Sequence, residues 1–338
     1  MTVTDDVHSR LAGINRLELA QLPTPLHRAP RLSEELGVPT WFKRDDLTGV
    51  GLGGNKVRAL EYLLADAMAQ DCDCLVTGAG PQSNWTMLAA LTAVGRGLEP
   101  FVVCYGEPVP DRGNLLLHRQ FGTVICFTGD PERSSVDGAM DLLAGELRES
   151  GRRPYVIPRG GATAVGAMGY VRASLELATQ LATVDEPPTT LWLAAGSGGT
   201  CAGLVAGAAL LPVPYDIIGI TVSRPVAEIT AQVIRLAEGA RELVGAPPAA
   251  PEPGGLLANR QVDIRGGWIG PGYGVPSPEG DRAAALVARA EGVFLDPVFG
   301  AKAMAALIAA CRSGEVPGPV AFLVSGGAPT LFAGMAGR

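Results

Sequence analysis

The chain has 338 residues, which is long enough for a sizeable core and for more than one domain. Its hydrophobic content of 47% with 18% charged residues is typical of a globular protein and excludes an intrinsically disordered chain. The net charge of −7 argues against nucleic acid as a partner, because neutralising phosphates requires a basic surface.

Short apolar runs alternate with amphipathic stretches of ten or more residues along most of the chain. The predicted strands are 74–77, 101–105, 123–127, 155–157, 191–194, 217–222 and 320–324. This alternation predicts an α/β fold with mostly parallel sheets flanked by helices. In such sheets, ligands bind beyond the carboxyl ends of the strands, where glycine turns lead into helices.

The same pattern predicts two domains. We expect a small domain at residues 54–165 and a large one built from residues 1–53 and 166–338, with the active site in the cleft between them. The uncharged stretch 187–215 is interrupted by glycines, which favours a strand, a turn and a buried helix over a membrane span. The six cysteines include no C-x-x-C pair, which suits a reducing compartment. The acidic N-terminal segment has no signal peptide pattern. We therefore expect a cytoplasmic protein.

Lys56 is the first candidate for a chemical role. The chain has three lysines, Lys43, Lys56 and Lys302, against 24 arginines. Arginine can replace lysine as a surface charge, but it cannot lose its proton and attack a carbonyl. Lys56 follows Gly53-Gly54-Asn55 and opens a predicted helix, whose dipole would disfavour the charged amine. The pattern predicts a Schiff-base lysine, with a solvated surface lysine as the alternative.

A glycine-rich turn follows the predicted strand at 191–194. It consists of Gly196, Ser197, Gly198, Gly199 and Thr200 and precedes a helix of small residues. Successive backbone N–H groups at the start of a helix form a cup suited to phosphate, to which Thr200 can add a hydroxyl. The segment is neither a Walker A loop nor a G-x-G-x-x-G motif. Close packing of the strand against the helix is the alternative explanation.

Other chemistries fit the sequence poorly. Gly49-x-Gly51-x-x-Gly54 matches a dinucleotide motif literally, but the acidic partner for the ribose is missing. His8, His27 and His118 all precede Ser197, which excludes the residue order of the α/β-hydrolases for that serine. Three scattered histidines and no C-x-x-C pair also argue against a catalytic zinc site.

Ser83 and Asn84 lie where a predicted strand gives way to a helix at about 85–94. They are ordinary helix caps by residue type, yet at the carboxyl end of a parallel strand their side chains would point into the cleft. A lysine nucleophile and a phosphate cup without histidine machinery fit a cofactor that carries its own phosphate and aldehyde. Pyridoxal 5′-phosphate meets that description.

Six segments then carry a family pattern in chain order. They are 41–58, Gln82-Ser83-Asn84, Gly166-Ala167-Met168-Gly169-Tyr170, Gly272-Tyr273-Gly274-Val275-Pro276, Leu295-Asp296-Pro297-Val298 and Ser325-Gly326-Gly327. With them, the chain resembles the aminocyclopropanecarboxylate deaminase and D-cysteine desulfhydrase family over nearly its whole length. The resemblance implies the two-domain tryptophan synthase β-like fold, which is fold type II among pyridoxal-phosphate enzymes.

The resemblance also implies which residues hold the cofactor. Lys56 would bond to its aldehyde and move the Cα proton of the substrate. Asn84 would hydrogen-bond its phenolic oxygen, and the turn from Gly196 to Thr200 would hold its phosphate. Ser325 would face the pyridine nitrogen, and a neutral hydroxyl there weakens the electron sink and favours prompt loss of a β leaving group.

Two further roles and three departures concern the substrate side of the site. Ser83 resembles the family's catalytic serine near the substrate carboxylate, and Tyr273 its active-site tyrosine. Trp85 and Phe299 stand where the family usually has histidine and tyrosine, and Gly300 where the deaminases have an acidic residue. Opening a cyclopropane ring needs proton donors and a positioned nucleophile or base, so we expect little of that activity.

The expected function is therefore that of a pyridoxal-phosphate-dependent amino-acid lyase. It would work by α,β-elimination and release a keto acid and ammonia. A β-replacement enzyme of specialised metabolism and a catalytically degenerate cofactor-binding protein are the alternatives. The expected partner is a small amino-acid substrate, with neither nucleic acid nor membrane, and the expected assembly is a homodimer.

Overall fold

A computed structural model of the chain describes residues 2–247, 256–257, 260–316 and 318–333. The helices are α1 (Val3–Ala12), α2 (Pro30–Leu36), α3 (Lys56–Ala69), α4 (Asn84–Val94), α5 (Gly113–Gln120), α6 (Ser135–Glu149), α7 (Ala164–Leu181), α8 (Gly199–Leu210), α9 (Val226–Leu243), α10 (Pro278–Glu291) and α11 (Gly300–Arg312). The strands are β1 (Leu26–Arg28), β2 (Thr40–Arg44), β3 (Cys74–Ala79), β4 (Glu99–Cys104), β5 (Val124–Phe127), β6 (Pro154–Ile157), β7 (Thr190–Ala195), β8 (Asp216–Thr221), β9 (Leu256–Leu257), β10 (Arg260–Gln261), β11 (Asp263–Arg265) and β12 (Val320–Val324). Short 3₁₀ turns cover Asp45–Leu47, Arg159–Gly161 and Ala328–Phe332.

The larger sheet has six strands in the order β1-β2-β12-β7-β8-β11. Strand β1 pairs with β2 in antiparallel orientation, and the remaining neighbours are parallel. Helices α7, α8 and α9 contribute to a core on one face, and α10 and α11 contribute to a core on the other. Strand β12 is buried at every position, as expected for a parallel strand covered on both faces.

The smaller sheet has four parallel strands in the order β5-β4-β3-β6. Successive side chains of a strand point to opposite faces, and β3 shows this clearly. Leu75 joins a core with residues of α3 and α4, whereas Cys74 and Val76 join a core with residues of α6. Helices α3 and α4, which begin at Lys56 and Asn84, therefore share one face of this sheet.

The predicted α/β fold with mostly parallel sheets is confirmed, and each of the seven predicted strands lies within two residues of an observed one. Five observed strands are not among the seven: β1, β2, β9, β10 and β11. In β2, Lys43 and Arg44 conceal the otherwise apolar character of the strand. No helix in the described part of the chain is long and apolar enough to cross a membrane. The uncharged helix α8 has 12 residues and is mostly buried in the core.

Candidate active site

The carboxyl ends of strands from both sheets border one cavity of about 550 Å³. Ser83 follows β3, Ser197 follows β7 and Ser325 follows β12, and all three residues line this cavity. Parallel α/β sheets bind their ligands in crevices outside the carboxyl ends of the strands. The cavity is therefore the candidate active site.

Lys56 is the first residue of α3 and lines the cavity. Burial lowers the pKa of its amine to about 8, because removal of water disfavours the charged ammonium form. Among the described residues, no charged neighbour contributes to this shift. The sequence pattern pointed to a lowered pKa through the helix dipole, and the structure adds burial as a cause of the lowering.

Backbone contacts fix the loop before Lys56 to the segment that follows β12. The N–H of Asn55 donates to the carbonyl of Ser325 at 2.9 Å, and Gly54 forms an isolated bridge with Gly326. The hydroxyl of Thr48 accepts from the N–H of Gly54 and donates to its carbonyl, both at 3.0 Å. These bonds place the start of α3 beside Ser325 independently of the lysine side chain.

Gly54 and Asn55 also connect this loop to the other parts of the candidate site. A Cβ at Gly54 would lie 2.8 Å from Nδ2 of Asn84, so a residue with a side chain would displace that amide. Nδ2 of Asn55 donates to Oγ1 of Thr200 at 3.0 Å. Lys56, Asn84 and the glycine turn, which are far apart in the sequence, are thereby brought together.

Ser83 is the N-cap of α4, and Asn84 is the first residue of that helix. Oγ of Ser83 accepts from the N–H of Thr86 at 3.3 Å, so the serine does serve as a cap. Both residues also line the cavity, and the capping and site interpretations are therefore compatible. Oδ1 of Asn84 is buried and has no hydrogen-bond partner among the described residues. A buried oxygen without a partner is costly, so this side chain is available to a ligand.

The glycine turn contributes two residues to the cavity wall, Gly196 and Ser197. Gly198, at φ 91°, caps α8, and Gly199 and Thr200 form its first turn. The first N–H groups of a helix have no intrahelical acceptor and attract anions. A side chain at Gly196 would lie 2.9 Å from the ring of Phe299, so glycine is required where these elements meet.

Aromatic side chains line the cavity near these groups. Tyr273 and Phe299 make an edge-to-face contact at 6.0 Å, and burial raises the pKa of Tyr273. Trp85 is 3% exposed, and its Nε1 donates to Oγ1 of Thr77 at 2.9 Å. A Cβ at Gly161 would lie 2.5 Å from its indole ring. Trp85 is thus tightly packed with its N–H satisfied, and it offers no group for proton transfer.

Three arginines of the cavity wall were not singled out by the sequence, namely Arg133, Arg159 and Arg224. They follow β5, β6 and β8 respectively. Their place in the sequence after predicted strands could have identified them, because ligand-binding groups cluster after the carboxyl ends of parallel strands. The abundance of arginine in this chain conceals that signal.

A buried ion-pair network anchors α3 two residues beyond Lys56. Arg58 donates to both carboxylate oxygens of Asp45 at 2.9 Å and to both of Glu176 at 2.9 and 3.0 Å. Lys43 also donates to Glu176, and Tyr170 donates to Asp45. Burial raises the pKa of each carboxyl group, but the charge and hydrogen bonds of Arg58 more than offset it and hold both pKa values below the usual range.

The other two lysines have structural partners. Lys43 is fully buried and, besides Glu176, donates to the carbonyl of Thr24 and to Oε1 of Gln180. Lys302 donates to the carbonyls of Ile269 and Gly272 at 2.7 and 3.1 Å. Neither lysine lines the cavity, which leaves Lys56 as its amine.

Comparison with known proteins agrees with this arrangement. The family model of pyridoxal-phosphate dependent enzymes matches residues 17–326. The D-cysteine desulfhydrases of Salmonella choleraesuis (strain SC-B67) and Salmonella paratyphi C (strain RKS4594) are each 40% identical over 334 residues, which cover 96% of this chain and 97% of theirs. The solved structure of an ACC deaminase homologue matches with a TM-score of 0.89 at 34% identity, covering 97% of this chain and 96% of that one.

The solved structure of a T.th. threonine deaminase shares the fold, with a TM-score of 0.67 at 20% identity over 96% of this chain and 97% of that one. The chain therefore belongs to the pyridoxal-phosphate dependent enzymes, and its cofactor is pyridoxal phosphate. Within that large group, it belongs to the family of the D-cysteine desulfhydrases and the ACC deaminase homologue.

The cavity residues fit this cofactor. It needs a primary amine for its aldehyde, polar partners for its ring and a site for its phosphate. Lys56 provides the amine, and the unpaired Oδ1 of Asn84 shows that a polar ligand group is missing at that side chain. The turn before α8 provides backbone N–H groups of the kind that bind phosphate.

Proposed function

We propose that this chain is an amino-acid lyase that catalyses α,β-elimination and releases a keto acid and ammonia. The observation that carries the proposal is the partly buried Lys56 at the cavity wall, where burial lowers the pKa of its amine to about 8. The likeness to D-cysteine desulfhydrases along nearly the whole chain supports this type of reaction.

Four parts of the candidate site would hold the cofactor. Lys56 would bond to its aldehyde, Asn84 to its phenolic oxygen, the turn from Gly196 to Thr200 to its phosphate, and Ser325 to its ring nitrogen. When bound, pyridoxal phosphate supplies an electron sink for negative charge at the Cα atom of an amino acid. The backbone bonds between the Lys56 loop and Ser325 keep two of these four parts in register.

The chain's own groups would then move protons and position the substrate. With a pKa of about 8, a substantial fraction of Lys56 is neutral near pH 7 to 8, so its amine can take the proton from Cα. Ser83 and the first N–H groups of α4 would bind the α-carboxylate. Tyr273 is protonated at neutral pH, since the pKa of a free phenol is already about 10 and burial raises it further. Its hydroxyl can therefore donate to the substrate.

A comparison of two substrates tests this proposal. The native protein should release keto acid from β-chloroalanine at least about 100-fold faster than from aminocyclopropanecarboxylate, because a missing acid or base lowers a rate by roughly 10² to 10⁴. Trp85 and Phe299 offer no proton donor for ring opening. Comparable, brisk release from both substrates would show that other groups replace the missing ones. A cofactor-loaded protein that releases keto acid from neither would contradict the lyase assignment.

We further infer that residues 54–165 form the small domain and that residues 1–53 with 166–338 form the large cofactor-binding domain. The four-stranded sheet and the buried residues of the cores on its two faces lie within the small segment, which supports this division. Hydrogen exchange should then report a separate cooperative unit within 54–165. Exchange of both sheets as a single unit would contradict it.

We also propose a cytoplasmic homodimer. The six cysteines are free thiols, which suits a reducing compartment. Leu47 and Leu52, which are 46% and 53% exposed, offer apolar surface that a second copy would cover. Light scattering should give the mass of two chains, and all six thiols should react in freshly denatured protein. A monomeric mass would contradict the homodimer, and a disulfide would contradict the cytoplasmic location.

A further inference from the structure

The charged residues in the cavity wall are mostly positive. They are Lys56, Arg133, Arg159, Arg224 and Asp296, in a chain whose net charge is −7. Asp296 is 3% exposed, and its carboxylate accepts from three successive backbone N–H groups at 2.7 to 3.0 Å. It is therefore engaged by the start of α11, and no other carboxylate in the wall of the described cavity offsets the arginines.

Arg133 differs from the other two arginines in lacking a carboxylate partner. Arg159 holds Asp137 with two bonds at 2.8 and 2.6 Å, and Arg224 donates to Glu228 at 3.0 Å. Within the described parts of the chain, Arg133 forms no salt bridge. Its positive charge at the cavity is therefore available to a ligand.

Arg133 is also held in a defined orientation. Its guanidinium carbon lies 3.6 Å from the centre of the Tyr273 ring, a cation–π contact that occupies one face of the group. The N–H donors at the edge of a guanidinium stay free in such a stack, and they match the oxygens of carboxylate, sulfonate or phosphate. The geometry is that of a preorganised anion-binding group.

Arg133 lies on the side of the cavity formed by the Ser83 loop. Arg133 and Tyr105 line the cavity together with Gly80 and Ser83. A Cβ at Gly80, three residues before Ser83, would lie 2.7 Å from the hydroxyl of Tyr105. In the proposed function the cofactor phosphate lies at the turn before α8, which leaves this side of the cavity to the substrate.

We propose that Arg133 binds an anionic β substituent of the substrate, so that the preferred substrates are amino acids with a sulfonate or a phosphate ester at Cβ. The inference rests on the proposed function, in which Ser83 binds the α-carboxylate and the glycine turn binds the cofactor phosphate. The α-carboxylate and the cofactor phosphate then have binding groups other than Arg133. A substrate with a neutral side chain would leave the charge of Arg133 without a partner.

The corresponding reaction balances without an oxidant or a reductant. Lys56 takes the Cα proton, and the electron pair of that bond forms the double bond between Cα and Cβ. The bond from Cβ to sulfur or oxygen breaks, and its electron pair leaves with sulfite or phosphate. The released enamine takes up one water and yields pyruvate and ammonia.

The test compares cysteate and O-phosphoserine with β-chloroalanine, each as both enantiomers. In the native enzyme, at least one anionic substrate should have a KM about tenfold or more below that of β-chloroalanine, the gain typical of a charge-assisted hydrogen bond. Arg133→Met should reduce the ratio of kcat/KM for that substrate over β-chloroalanine by about tenfold or more. Arg289→Met, which removes an exposed arginine of α10, should leave the ratio unchanged.

An equal loss for both substrates in Arg133→Met would overturn the inference, because it would mean that Arg133 only supports Tyr273 or binds the α-carboxylate. A binding measurement separates this failure from failure of the lyase proposal. Calorimetry on the holoenzyme should show that unreactive 3-sulfopropanoate binds about tenfold or more tightly than butanoate, with the difference reduced by added salt. Equal affinities in the native protein would refute the inference without any variant, whereas absence of β-chloroalanine turnover would refute the lyase.

Discussion

Replacing Asp45 with asparagine should destabilise the protein strongly, because it removes an anion from the network beside the lysine helix. Asp45 is fully buried, and both of its oxygens accept from Arg58 at 2.9 Å. Asparagine retains the shape but turns an amide N–H₂ towards the guanidinium. Two buried cations, Arg58 and Lys43, are then left to share the single carboxylate of Glu176.

The magnitude follows from the burial of the pair. Removing one partner of a buried ion pair costs about 3 to 5 kcal/mol, because the remaining charge stays desolvated. With an unfolding entropy of about 2.1 cal/mol/K per residue, a chain of 338 residues should lose roughly 4 to 7 °C in Tm. The folded-state pKa of Asp45 is below its usual value, so its stabilisation is present above about pH 4 and is lost as the pH falls through the folded-state pKa.

Thermal unfolding of the cofactor-free protein at pH 7 and at about pH 3 measures both effects. Asp263→Asn is the matched control. Asp263 also accepts from Nε and Nη2 of an arginine, Arg265, at 3.1 and 3.0 Å. In this pair, however, both side chains are about one third exposed. Its loss should cost about 1 kcal/mol or less. Equal Tm shifts for the two variants at pH 7, or an undiminished Asp45→Asn shift in acid, would refute the reasoning.

Three further predictions concern the cofactor. After borohydride reduction of the holoenzyme, peptide mass spectrometry should find the cofactor attached to the peptide that contains Lys56 and not to the peptide that contains Lys302. Attachment to Lys302 would contradict the assignment of Lys56. The rate at which the cofactor-free enzyme takes up pyridoxal phosphate should rise with pH and level off above about pH 8, because only the neutral amine of Lys56 attacks; a flat stopped-flow profile would argue against this pKa. Gly198→Val should weaken cofactor binding by about tenfold or more, because a residue with a side chain is strained at its φ of 91°. Gly292→Val is the control, since Gly292 at the end of α10 has a φ of 65° and open space around it. This control variant should leave the cofactor Kd, measured by absorbance titration, unchanged.

The reason for the Gly198→Val effect differs from the one that the sequence suggests. A glycine in a phosphate cup implies that any side chain would occupy the cup itself. In the structure, a Cβ at Gly198 would face Ile229 and Val233 of α9 at 3.2 and 3.3 Å. The expected loss therefore arises from a distorted backbone that no longer aims its N–H groups, and not from a blocked cavity.

Strands with uninterrupted apolar residues could be predicted from the sequence, and β2 shows why others could not. Strand β12 is a continuous apolar run, which is the pattern of a parallel strand covered on both faces. Strand β2 carries Lys43 in its buried part, and a lysine normally marks the surface. Its partner Glu176 is 133 positions away, so only the folded chain shows that this charge is neutralised.

The candidate site likewise contains residues that the sequence could identify and one that it could not. Lys56, the Ser83-Asn84 pair and the glycine turn are local signals, since each combines a chemical group with a strand end or a helix start. Arg133 gives no local signal. Its proposed role depends on its contact with Tyr273, which lies in a distant segment, and on its having no ion-pair partner among the described residues. Its chemistry is a property of the fold and not of any short stretch of sequence.

The bridge between Gly54 and Gly326 bears on how such enzymes change their chemistry. A Cβ at Gly326 would lie 2.7 Å from the Cα of Gly54, so two main chains touch there with no side chain between them. The lysine loop is thereby fixed to the backbone of Ser325 and not to its hydroxyl. In the proposed arrangement, a mutation at position 325 would alter the polarity beside the ring nitrogen while the lysine loop stays in place. Reaction type and scaffold geometry could then evolve separately.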